Sequence, residues 1–87
     1  MRIWFKKWKE NRLMGDCTIE DYSNETRTHK IMNSLEKCCR EFDLSVPIWL
    51  DKTVRDFKKS SKARFTQDNF VDDIDFDFLE IHVIEED

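Results

Sequence analysis

The stretch DDIDFDFLE, residues 72–80, sets Asp72, Asp73, Asp75, Asp77 and Glu80 within nine positions. These are hard oxygen ligands of the kind Ca²⁺ or Mg²⁺ takes. Asp73-x-Asp75-x-Asp77 has the spacing that opens a calcium loop, yet Phe78 stands where such a loop needs Gly for its sharp turn. Ile74 and Phe76 alternate with the aspartates as apolar residues do along a strand. The carboxylates therefore read as the solvent side of the approach to a strand, and no metal ligand is assigned.

Softer ligands and nucleophiles are also few. Cys17, Cys38, Cys39, His29 and His82 form no C-x-x-C or H-x-x-x-H pair, so neighbouring residues cannot build a zinc site. A Cys17–His82 dyad on adjacent strands is conceivable, but no Gly-rich turn presents the thiol and no third group plainly orients the imidazole. Gly15 is the only glycine, which rules out a phosphate-cradling loop. The expectation is a protein without catalytic residues or cofactor. Three cysteines, two of them neighbours, suit reduced thiols in a cytoplasmic protein better than a disulfide framework.

Binding chemistry is better represented. Lys6, Lys7, Lys9 and Arg12 mingle with Trp4, Phe5 and Trp8, and a second basic run holds Lys52, Arg55, Lys58, Lys59, Lys62 and Arg64. Phosphate neutralisation beside stacking aromatics uses such residues. Against this, the net charge is -4, and residues 65–87 hold nine carboxylates and no Lys or Arg. Alternating blocks of opposite sign suit pairing between segments better than a single-sign field that steers nucleic acid.

These groups must be positioned by few elements. RIWFKKW alternates, with Ile3 and Phe5 on one side of a strand and Trp4 and Trp8 on the other. A turn at Glu10 and Asn11 leads to LMGDCTI, which sets Leu13, Gly15, Cys17 and Ile19 together, so a β-hairpin is expected. The rival is one basic helix through WFKKWKENRLM. From about residue 25 to 43, Thr28, Ile31, Met32, Leu35, Cys38, Cys39 and Phe42 recur at helical spacing, with Ser23 or Asn24 as cap and Pro47 beyond the end. VPIWL reads as an extended connector. Asp51 is placed to cap a short helix over about 52–60 with Val54 and Phe57 inward, and Thr66 to cap a further turn of helix at QDNFVDD.

The last strand carries a change of phase. Ile74, Phe76 and Phe78 share one parity, whereas Leu79, Ile81 and Val83 share the other. Either a bulge near Phe78 resets the register or both faces are covered.

The segments THKI, PIWLDK, RFTQDNF and IDFDFLEIHVIEED, together with IWFKKWKENRLM, resemble a family of short uncharacterised bacterial proteins of about this length. The resemblance spans nearly the whole chain. It implies a self-contained bacterial domain and carries over no activity, cofactor or site residue.

The 87 residues are thus expected to form a single α+β domain. Its small antiparallel sheet combines the N-terminal hairpin with the C-terminal strand, and one main and one short helix pack on one face. No apolar run approaches a membrane span, and MRIWFKKWKENRL lacks the features of a signal peptide. A sheet apolar on both sides with few helices to cover it implies a homo-oligomer, most simply a dimer, with Trp4, Trp8, Phe78, His82 and Ile84 as interface candidates. The alternative is a nucleic-acid-binding accessory protein using Lys6, Lys7, Lys9, Lys58, Lys59, Lys62 and Arg64.

Overall fold

Alternation at the start of the chain produces a hairpin. The computed structural model describes all of residues 1–87, and in it β1 (Arg2–Lys9) pairs antiparallel with β2 (Arg12–Glu20). Glu10 and Asn11 join them at φ 51° and 62°, the left-handed pair whose twist matches that of the flanking strands. Asn tolerates this geometry; Glu carries a steric cost there, and its N–H is held by Asp77 Oδ2 at 2.8 Å. The rival basic helix does not form.

The pairing slips between Lys7 and Trp8, which face Gly15 and Leu13 respectively. Met14 is the extra residue, so Leu13 is carried to the face of Trp8 instead of joining Gly15, Cys17 and Ile19 as expected. Gly15 keeps the inner face open for Phe42, whose ring would lie 3.4 Å from a Cβ built there.

Helix α1 (Arg27–Glu41) buries Lys30, Ile31, Ser34, Leu35, Cys38 and Cys39. Its cap is Thr26, whose hydroxyl accepts from the His29 N–H at 3.2 Å, and not Ser23 or Asn24, which lie in the preceding bend. Asp43 at φ 55° ends the helix, with the Leu44 N–H returning to the Cys39 carbonyl at 2.7 Å.

Helix α2 (Asp51–Ser60) follows the extended connector. Leu50 occupies the cap position, and Asp51 lies one place further on, in the first turn, where its charge suits the helix dipole. Thr53 and Phe57 face inward and Val54 is half-buried. Ser61 at φ 58° stops the helix and turns the chain into β3 (Lys62–Phe65), which the sequence reading assigned to no element. A single 3₁₀ turn, Gln67–Asn69, carries the Thr66/Asn69 capping box.

Asn69 is a buried hub. Its Nδ2 donates to the Ile48 carbonyl and to Thr53 Oγ1, both at 2.8 Å, and its Oδ1 accepts from the Thr66 N–H at 3.0 Å. Four polar contacts of this side chain thus tie the connector, α2 and the 3₁₀ turn together.

The final strand, β4 (Phe78–Glu85), inserts between β1 and β3, giving the antiparallel order β2-β1-β4-β3. It begins at Phe78, so the parity change is neither a bulge nor a doubly covered strand. Phe76 belongs to the preceding loop, buried edge-on against Phe70 at 6.0 Å between centroids, and Phe78 is the first strand residue on the face away from the helices. Both helices lie on the other face, against Ile3, Phe5, Phe65, Leu79 and Ile81, all fully buried. This is an α+β fold with one main and one short helix on one side of the sheet. No helix is long and apolar enough to cross a membrane.

The basic and acidic blocks meet as neighbours. Lys6 pairs with Glu80 at 3.1 Å, Arg2 with Glu85 at 3.8 Å, and Arg27 with Glu86 at 2.9 Å. Lys30 is buried, with its amine on Asp87, which also accepts from the Met1 amine.

Candidate functional site

The distinctive surface is the sheet face that carries no helix. Alternation sends Arg2, Trp4, Lys6 and Trp8 there from β1, and Phe78, Glu80 and His82 from β4; the register slips beyond Val83, so that Glu85 stands opposite Arg2 and Ile84 is the exposed extra residue between. Trp4, Trp8, Phe78 and His82 thus share one surface, and Ile84 lies at its end, where the pairing slips. Sequence alone did not add Leu13, Asp16, Thr18 and Glu20 from β2, or Lys62 from β3, to that surface. Finding Lys62 and Arg64 beside the aromatics requires β3 to be a strand, and the only sign of it is the alternation in KARF.

Register orders these residues in rows across the face. One row is Thr18, Trp4, His82 and Lys62; the next is Asp16, Lys6, Glu80 and Arg64; the third is Leu13, Trp8 and Phe78. The aromatics are half-buried by their neighbours, and none of them belongs to the apolar core.

Polar contacts fix their poses. Trp4 Nε1 donates to Asp16 Oδ2 at 2.9 Å, and Trp8 Nε1 to Glu80 Oε1 at 3.1 Å. The Lys6 amine lies 3.9 Å from the Trp4 ring centroid, and the Arg64 guanidinium 4.5 Å from that of Phe78. Trp8 and Phe78 are tilted neighbours at 6.5 Å. Such a face is preorganised: its large side chains lose little further freedom when something covers them.

Two groups are electrostatically shifted. Burial would raise the Glu80 carboxyl, but hydrogen bonds from Lys6 and Trp8 outweigh it and hold the group below its usual range. His82 is lowered by burial first and then by Lys62 and Lys6, and its Nδ1 is buried with no hydrogen-bond partner. A neutral imidazole is favoured there.

The Cys17–His82 dyad does not assemble. Cys17 packs with the core on the helix side, whereas His82 lies on the bare face, so the sheet separates them. Burial, followed by the charge of Glu41, pushes the Cys17 thiol up, and burial pushes Cys39 up to about 11, the reverse of an activated nucleophile. The loop aspartates do not gather either, and no group of three His, Cys, Asp or Glu side chains lies together as a metal site needs.

The seven basic candidates do not form one surface. Lys6 is paired on the bare face, while Lys7 lies on the other side near the Phe42 and Phe76 rings at 5.3 and 5.5 Å. Lys9 is exposed at the end of β1, and Lys58 and Lys59 belong to α2. Lys59, Lys62 and Arg64 do line a cleft of about 610 Å³ with Lys52, but Asp56, Asp68 and Glu80 share it.

The chain matches no protein-family model, no curated protein and no solved structure, so the functional reading rests on these residues.

Proposed function

We propose that this protein is a small cytosolic interaction protein of bacterial type that self-associates through the bare sheet face, with a binding role and no catalysis. The observation that carries this reading is the one-sided architecture. Trp4, Trp8 and Phe78 stand on the face that no helix covers, with Ile84, 42% exposed, at its end. Aromatic anchors ringed by polar groups have the make-up of a docking surface.

Sedimentation over a concentration series tests it. The mass should rise from the 10.6 kDa of one chain towards twice that value, and Trp8→Ala and Ile84→Lys should each hold the protein monomeric. Ile84 is exposed at the end of its strand, so the second variant keeps its fold. A mass that stays at one chain, unchanged by either substitution, refutes self-association.

A second reading, nucleic-acid binding, draws on the cleft where Lys52, Lys59, Lys62 and Arg64 converge beside Phe78. It ranks second because Glu80 already pairs with Lys6, and the Trp4 and Trp8 N–H groups point at carboxylates that would repel phosphate. Retention on single-stranded oligonucleotides that weakens steeply with salt would support it; no retention at low salt removes it.

A further inference from the structure

The bare face is polarised across its width. Its β2 edge carries Asp16 and Glu20, its β3 edge carries Lys62 and Arg64, and all four are exposed. Between them the central row reads acid, base, acid, base: Asp16, Lys6, Glu80, Arg64. Reversing such a row puts every acid over a base.

Resting on the self-association proposed above, we infer that two copies pack bare face to bare face about a two-fold axis parallel to the strands, between β1 and β4. That rotation lays β2 of one copy over β3 of the other, and β1 over β4. Asp16 then meets Arg64, and Lys6 meets Glu80, each contact occurring twice. Trp8 meets Phe78 in the aromatic row, and Trp4 meets the neutral His82.

A two-fold axis across the strands is disfavoured. It lays β2 on β2 and β3 on β3, setting the acidic edge of one copy against that of the other and the basic edges likewise; like-charge juxtaposition of this kind suppresses a wrong arrangement. The chosen axis is also compatible with sheets that pack within about 30° of each other. Lys6 and Glu80 arrive already paired at 3.1 Å, so no lone charge is buried at the centre.

Size sets the expected strength. Three strands of about eight residues and an edge strand of four, about 4.8 Å apart at about 3.3 Å per residue, make up the face. That footprint of about 440 Å² is below the roughly 800 Å² per partner of a standard interface, which points to a weak, concentration-dependent dimer.

Charge reversal tests the axis. Asp16→Lys/Glu20→Lys makes both edges basic, and Lys62→Glu/Arg64→Glu makes both acidic, each at exposed positions whose fold circular dichroism can verify. Each double variant alone should dissociate at least about tenfold more readily, and an equimolar mixture should recover wild-type association as a heterodimer. If the wild type dimerises but the double variants dimerise equally well, or their mixture does not associate, the axis is wrong and self-association stands. A wild type that remains monomeric up to millimolar concentration overturns both proposals, and its retention on single-stranded oligonucleotide would assign the face to that occupant instead.

Discussion

The two faces of the sheet are built from the same strands yet held by different physics. On the helix side Ile3, Phe5, Leu79 and Ile81 are completely removed from solvent. On the bare side their immediate neighbours Trp4, Lys6 and Glu80 keep part of their surface in solvent and are fixed by hydrogen bonds, an ion pair and a cation–π contact, while His82 beside them has no partner for its Nδ1. The difference teaches that one sheet can be anchored by burial on one side and by polar contacts on the other. The apolar core lies wholly on the first side, and the second contributes hydrogen bonds and an ion pair among its own residues.

The largest effect should come from the covered face. Phe5→Ala leaves a cavity at a fully buried position and should lower stability by about 3–5 kcal/mol in urea denaturation. A loss below about 1 kcal/mol would break the comparison by showing that this face does not dominate folding.

On the bare face, Glu80→Ala strips the Lys6 amine and the Trp8 N–H of a shared acceptor. We expect a loss of about 1–2 kcal/mol in the same measurement. Glu80→Gln, which retains one acceptor, should recover part of it.

Acid should weaken the bare face in two stages. The His82 pKa in the folded chain lies below its usual 6.5, so the unfolded chain takes up the proton first as pH falls. Stability is therefore full above 6.5 and declines through the window down to the lowered value. The Glu80 pKa lies below its usual 4.5, and its contribution, present above 4.5, is lost as pH falls through the folded-state value. Thermal melts across pH should show both stages, and His82→Gln should remove the first alone.

The smallest effect lies at the hairpin turn. Glu10→Asn relieves a non-glycine residue at φ 51° and should stabilise by about 0.5 kcal/mol while leaving association unchanged.

Much of the fold was legible because its signals are local. Period two in RIWFKKW separated Ile3 and Phe5 from Trp4 and Trp8, and three-and-four spacing from Thr28 to Phe42 located α1. The misses arise where a local pattern is too short or a neighbour overrides it. KARF, four residues, is too short for its alternation to stand out in a basic run that begins in α2, and only Ser61 in the left-handed conformation separates the two. The bulge at Met14 is invisible in the sequence because it depends on how β2 meets β1. Ile74 and Phe76 imitate a strand, yet Phe76 is buried and Ile74 half-buried from a loop that Gln67 braces by accepting from the Ile74 N–H at 2.9 Å and donating to the Asp72 carbonyl at 2.8 Å.

The candidate surface was half legible for the same reason. Its aromatic members were visible as one parity of two strands, but which residues flank them depends on strand order. Local chemistry determined which side chains point to the same side of each element, because backbone geometry alternates whatever the surroundings. Only the tertiary structure decided that β4 lies between β1 and β3, because that order depends on contacts between segments far apart in the chain. It is this order that sets Asp16, Lys6, Glu80 and Arg64 in a single row of alternating sign.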